Sequence, residues 1–92
     1  MSYFDVTYTI DSSCNGSAIM GCIRAALNDF GTIRAPACIC LGSETYYRIL
    51  RAGMDRSWHF KDDFDNRNAK LFGITFLVTD EHGENAIVYG YE

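Results

Sequence analysis

A chain of 92 residues, of which 48% are hydrophobic and 14% aromatic, is long enough for one core without a metal or disulfides, so residues 1–92 should form a single globular domain. The net charge is −4 and no Lys or Arg follows Lys70, which excludes the basic footprint of direct nucleic-acid binding. No apolar run can cross a bilayer and the N-terminus lacks a signal-peptide pattern, which predicts a cytoplasmic protein with reduced thiols and no membrane contact.

The N-terminal third predicts a strand followed by a helix. Apolar and polar residues alternate over residues 3–11, which is typical of a strand with one buried face. Turn and cap formers occupy Ser12–Ser17, and apolar residues then recur at helical spacing from Ile19 to Phe30. Gly31 is a typical residue for ending a helix. Within this helix, Gly21 is expected to permit a close approach to the sheet.

Two cysteines one residue apart, Cys38 and Cys40, raise the question of a metal or redox site. The run 37–41 is apolar on both faces and follows Pro36, which favours a central strand with both thiols on one side. Zinc knuckles instead use C-x₂₋₄-C in a tight turn, and a strand is too extended to wrap one ion. Free cysteine also packs as a small hydrophobe, so we predict no metal and no cofactor.

The C-terminal half predicts a second helix and two further long strands. Ser43 is the expected cap of the helix, which ends before Gly53. Residues 58–60 resemble a brief strand, with Trp58 and Phe60 directed to the core, and residues 61–70 a polar loop. Residues 71–79 and 86–91 are rich in strand formers, and the polar connection 80–85 predicts that they pair as an antiparallel hairpin.

These elements predict an α+β fold. We expect a single mixed sheet of four or five strands with two helices mainly on one face and a C-terminal antiparallel β-hairpin. The first strand, the first helix and the strand at 37–41 are expected to form a βαβ crossover.

Other patterns of catalytic or ligand-binding residues are weak. Ser57, His59 and Asp62 or Asp63 are close in sequence, but no nucleophile-elbow motif accompanies them. Residues 63–68 place an arginine and an asparagine where a calcium loop needs a ligand and a glycine. We therefore predict no catalytic residue.

Three sequence segments follow the first helix in this order: ACICLGSETY (37–46), LFGITFLVTD (71–80) and IVYGY (87–91). Together they resemble part of the tailed-phage major capsid protein fold. Small phage proteins of unassigned role contain a segment similar to the second one. The resemblance spans Ile19 to Tyr91, but the chain is far too short for the peripheral domain and extended arms of a capsid subunit. It implies a phage or prophage origin and a non-enzymatic, protein-binding role, and it transfers no catalytic residue.

The function expected from these observations is a small, non-enzymatic, phage-associated protein that binds another protein, either in the virion or in the cytoplasm of the host cell. Tyr and Trp are favoured at protein interfaces, and Tyr89 and Tyr91 are expected to be exposed on a strand. The acidic turn with Asp80, Glu81 and Glu84 favours a partner with a basic surface.

Two alternative functions are open at this stage. The chain is an acidic inhibitor that occupies the nucleic-acid site of a host defence enzyme, or it is an enzyme or metalloprotein that uses cysteine and histidine side chains. The residues for the second alternative are Cys14, Cys22, Cys38, Cys40, His59 and His82. An uncovered edge strand, at 3–10 or at 86–91, also predicts that two chains can pair as a homodimer.

Overall fold

The computed structural model describes residues 4–11, 13–30 and 35–91, with the backbone alone for residues 4–8 and 30. In chain order the elements are β1 (Phe4–Thr9), α1 (Gly16–Phe30), β2 (Cys38–Leu41), α2 (Ser43–Gly53), β3 (Phe64–Asp65), β4 (Lys70–Leu71), β5 (Ile74–Val78) and β6 (Ala86–Tyr91). Neither helix of these described ranges is both long and apolar enough to span a membrane.

The strands form one mixed sheet in the order β1-β6-β2-β5-β4-β3. Strand β6 is antiparallel to both of its neighbours, β1 and β2, so β1 and β2 run parallel to each other with β6 between them. Strand β2 pairs in parallel with β5, and α2 lies in the connection between these two strands. The predicted α+β fold with a mixed sheet is confirmed. The predicted βαβ unit is a split one, because β6 lies between its two parallel strands, β1 and β2.

Both helices cover the same face of the sheet. Ile39 of β2 lies opposite Tyr89 of β6 and Phe76 of β5, so these three residues share one face. All three are buried in one cluster with Ile19 of α1 and Ile49 of α2. Along β2, Ile39 and Leu41 are buried while Cys38 and Cys40 are half-buried, as the strand interpretation of the C-I-C run predicts. The helices therefore lie mainly on one face, as expected.

The last two long strands run antiparallel, as predicted, but β2 lies between them, so they do not form a directly paired hairpin. The connection 79–85 passes over the end of β2 instead. The Thr79 amide donates to the Leu41 carbonyl at 2.8 Å, and the Gly42 amide donates to the Ala86 carbonyl at 2.9 Å. The physical reason is the composition of β2, because a strand that is apolar on both faces is most stable with a neighbour on each side.

The segment expected to be a brief strand and a polar loop folds differently. Residues 58–60 form no strand, although Trp58 and Phe60 are buried, as predicted. The polar run 61–70 contains β3 and the first residue of β4, which pair antiparallel. Strands β4 and β5 are joined by Phe72 and Gly73, both with positive φ (51° and 80°), which is the geometry of a tight two-residue hairpin turn.

Candidate functional site

The aromatic residues predicted to contact a partner are buried. Tyr89 is 1% exposed and Tyr91 is 9% exposed, so the prediction that they form an exposed surface is wrong. The reason is the position of β6 between β1 and β2, which directs both rings into the core beneath the helices. Because β6 is paired on both sides, the C-terminal strand is also not an edge that could pair between chains.

The acidic turn, residues 80–85, begins with a carboxylate that caps a helix. Asp80 accepts hydrogen bonds from the Ser43 amide at 2.8 Å and from the Ser43 hydroxyl at 3.1 Å, at the first residue of α2. These two bonds hold the pKa of the Asp80 carboxyl below its usual value. Sequence reasoning assigned the cap to Ser43, whereas the capping oxygen comes from a residue 37 positions away.

The remaining acidic residues of this turn have exposed side chains. The Glu84 carbonyl accepts hydrogen bonds from the amides of Glu44 and Thr45, at 3.0 and 3.2 Å, so the backbone of the turn completes the cap of α2. The carboxylates of Glu81 and Glu84 are left on the surface. The five predicted partner residues are thus divided among two core aromatics, one capping carboxylate and two surface carboxylates.

The candidate metal and catalytic groups do not converge. Within residues 4–11, 13–30 and 35–91, no group of three or more His, Cys, Asp or Glu is placed to hold a metal ion. The side chains of His59, His82 and Cys22 are exposed. The Ser57 hydroxyl donates to Asp55 at 2.8 Å, which closes a local turn and differs from the bond to a histidine that a triad requires.

A groove of about 540 Å³ lies where the start of α1 meets the middle of α2. We call it the α1–α2 groove. Residues 13–17 line one side, and the other side is lined by Glu44, Tyr47, Arg48, Arg51, Ala52 and Asp55. Asn15 caps α1, since its side-chain oxygen accepts from the Ala18 amide at 2.9 Å. At Gly16 a side chain would collide with the Arg48 carbonyl and with Ala52, so this glycine sets how closely the helices approach.

Arg48 holds the loop before α1 against α2. Its guanidinium donates to the carbonyls of Asp11 and Cys14, at 3.0 and 3.4 Å, and lies 3.5 Å from the Glu44 carboxylate. Its side chain is only 15% exposed. The Ser13 amide and hydroxyl, with a smaller effect of Arg48, lower the pKa of Asp11. Arg48 is therefore a structural residue of the groove, which leaves Arg51 as the exposed guanidinium of its lining.

Tyr47 and Arg51 lie on the outer side of α2, and Met54 directly follows Gly53, the last residue of the helix, with a helical backbone conformation (φ −81°, ψ −12°). The three residues have the i, i+4, i+7 spacing that aligns residues along one helix face. We call these three residues the α2 stripe. Tyr47 is 53% exposed and Met54 is 83% exposed, and the Arg51 guanidinium lies 5.7 Å from the centre of the Tyr47 ring. The α2 stripe was not predicted from the sequence, although the spacing of its three residues is visible there.

No protein-family model matches the chain, and no curated protein or solved structure is significantly similar to it.

Proposed function

We propose that this chain is a non-enzymatic protein-binding domain whose partner contacts the α2 stripe and the adjoining α1–α2 groove. The observation that carries the proposal is the exposure of Tyr47 on α2 and of Met54 directly after the end of α2, with Arg51 between them in the sequence. Tyr, Met and Arg are the residue types enriched in protein interfaces, and Tyr and Arg are the commonest energetic anchors.

The groove supports the same surface because it lies beside the stripe. Tyr47 and Arg51 belong to both, so a partner side chain inserted into the groove would also contact the tyrosine ring. Arg48 and Gly16 fix the two helices relative to each other. A surface that is already rigid loses less conformational entropy when a partner binds.

The acidic turn adds charge at one end of this surface, since it packs on the first turn of α2. Glu81 and Glu84 are its exposed carboxylates, and they favour a partner with basic groups near that end. We expect charge reversal at both positions to slow partner association at low salt, where screening is weakest. Stopped-flow binding at two salt concentrations measures this, and an unchanged association rate at low salt contradicts a role for the turn.

A phage origin is part of the proposal and comes from the sequence resemblance. The binding surface described above does not depend on it. Virion component and host-directed binder are both consistent with a protein-binding domain.

Site-specific photo-crosslinking tests where the partner binds. A benzophenone amino acid at position 54, which is 83% exposed, is expected to form a covalent adduct with the partner in an extract of the cells that make this protein. The matched control places the same group at Leu77 of β5, which is 56% exposed and lies on the sheet. An adduct from position 77 and none from position 54 contradicts the proposal.

A pair of double variants then tests the energetic contribution of the stripe. Tyr47→Ala with Met54→Ala should weaken capture of the crosslinked partner at least about tenfold, because interface anchors contribute about 2 kcal/mol or more. Leu77→Ala with Val78→Ala removes the two exposed apolar side chains of β5 and should leave capture unchanged. Circular dichroism establishes that both variants are folded. Equal losses in the two variants would show that the effect is not specific to α2.

A further inference from the structure

Strand β1 is an edge of the sheet that the described residues form. It is hydrogen-bonded to β6 on one side, and among the described residues no strand pairs with its other side. The other edge, β3, is only two residues long, whereas β1 has six. A six-residue edge is long enough to add a further strand.

The direction of the β1 backbone groups follows from the register. The Ile10 amide donates to the Asn85 carbonyl at 2.8 Å. Because every second residue of an antiparallel strand bonds towards the same neighbour, the even-numbered residues of β1 bond towards β6. On β6, the carbonyls of Ala86 and Gly90 accept from the β2 side, which confirms this alternation. The amides and carbonyls of Asp5, Thr7 and Thr9 therefore point outward.

Within its own six residues, β1 lacks the sequence features by which edge strands prevent pairing between sheets. Its sequence, FDVTYT, contains no lysine, arginine or proline, and its six residues pair with β6 one for one without a bulge. Its single charged residue is Asp5, near one end.

We propose that a second copy of this chain pairs with β1 in an antiparallel arrangement, with the two-fold axis at Thr7. In this register Thr7 lies opposite its own copy and Asp5 lies opposite Thr9, so all three outward-pointing residues form hydrogen-bonded pairs. Antiparallel geometry gives about six backbone hydrogen bonds and joins the two sheets into one. The proposal does not rest on the α2 stripe and stands independently of the proposed function.

The sequence of β1 is complementary to itself in this register but not in registers shifted by one or two residues. Val6 falls opposite Tyr8, a pairing of a β-branched with an aromatic residue type that stabilises antiparallel strands. The two Asp5 residues lie at opposite ends of the joint. Shifting the axis by one residue in either direction leaves only two of the three outward residues paired, and centring it on Asp5 sets two carboxylates directly opposite each other.

Charge substitution at the axis tests both the surface and the register. Sedimentation equilibrium of the whole chain, at concentrations up to about 1 mM, should show a monomer–dimer equilibrium. Thr7→Lys and Thr7→Glu each place like charges opposite each other and should weaken dimerisation at least about tenfold. An equimolar mixture of the two variants should recover a dimer, because the lysine of one variant then lies opposite the glutamate of the other. Thr7→Gln is the neutral control and should dimerise like the wild type.

The mixture also separates loss of pairing from loss of folding, since unfolded variants would not recover. A wild type that stays monomeric over the whole range overturns the proposal. It is equally overturned if both charged variants dimerise as the wild type does, or if two folded variants fail to recover a dimer when mixed.

Discussion

At the scale of single residues, two glycines are required because other segments lie against them. Gly16 faces the backbone of α2, and Gly42 faces the carbonyls of Gly83 and Glu84 in the acidic turn. The φ of Gly42 is −66°, which any residue can adopt, so the requirement is for space rather than for conformational freedom. Gly21, which the sequence suggested as the point of close approach, has open space at the position of a side chain.

The first prediction concerns these glycines. Gly42→Ala should lower the free energy of unfolding by about 1–3 kcal/mol, because the added methyl group forces the acidic turn away from α2. Gly21→Ala is the matched control and should raise it by about 0.5–1 kcal/mol, because alanine stabilises a helix interior relative to glycine. Urea unfolding measures both changes. Equal effects of the two substitutions would contradict the difference in packing.

The second prediction uses the lowered pKa of Asp80. A carboxyl whose pKa is lower in the folded state stabilises the fold above its unfolded pKa, and this stabilisation is lost as pH falls through the folded value. The wild type should therefore lose stability on acidification below the usual aspartate range more steeply than Asp80→Ala. Glu81→Ala keeps the hydrogen bonds between Asp80 and Ser43 and should retain the wild-type slope. Thermal unfolding at a series of acidic pH values provides the comparison.

At the scale of the elements, composition indicates which strands are central, and it does so for both β2 and β6. The C-I-C run has no polar residue on either face, and β2 has a neighbour on each side. The run AIVYGY also lacks charged residues, and all six residues of β6 are buried. The same physical argument applied to β6 would have placed Tyr89 and Tyr91 in the core. The capping of α2 by Asp80 has no comparable local signal, because it joins residues 37 positions apart.

One side-chain hydrogen bond joins the hairpin of β3 and β4 to α2. The Tyr46 hydroxyl donates to the Asn66 side-chain oxygen at 2.6 Å, between the two short strands. The Tyr46 ring also packs near Phe76, with 5.8 Å between ring centres. Two-residue strands have few ladder bonds of their own, so this contact should contribute to holding the hairpin in place.

The third prediction follows from that bond. Tyr46→Phe keeps the ring but removes the hydroxyl, and it should cost about 0.5–1.5 kcal/mol of stability and speed amide exchange in residues 64–71. Tyr47→Phe, at the exposed neighbouring position, is the control and should change neither quantity. Protection in residues 64–71 that is the same in the wild type and in Tyr46→Phe would show that the hairpin is held by other contacts.

At the scale of the whole molecule, one aromatic group joins the irregular segment after α2 to the core. Trp58 is 7% exposed and lies 6.2 Å from Phe60 and 5.7 Å from Phe64, measured between ring centres. It belongs to the same cluster as residues of both helices and of the central strands. The segment should therefore unfold together with the sheet rather than before it.

The fourth prediction tests this cooperativity. Trp58 is the single tryptophan, so its fluorescence should shift to longer wavelength in denaturant at the same midpoint as the far-ultraviolet circular dichroism signal. A fluorescence transition at clearly lower denaturant concentration would mean that residues 54–63 detach while the sheet remains folded. Measuring both signals on one sample removes differences in preparation.

The candidate binding surface was only partly predictable. Three residues at i, i+4 and i+7 can be recognised in the sequence, but their exposure is decided by which side of α2 packs inward. Thr45 and Ile49 are fully buried, and this directs Tyr47 and Arg51 of the same helix outward, while Met54 is exposed directly after the end of the helix. The groove depends on how two helices from different parts of the chain meet at Gly16, which local patterns do not encode.

The central place of β6 also affects how this protein is made. A ribosome synthesises β1 first, yet the strand that hydrogen-bonds to β1 is the last of the described strands to emerge. Until then, only the β2-β5-β4-β3 part of the sheet can pair, and none of these strands hydrogen-bonds to β1. At about 5–20 residues per second, the first strand waits several seconds for its neighbour. The nascent polypeptide therefore presents an unpaired, alternating apolar strand to molecular chaperones throughout its translation.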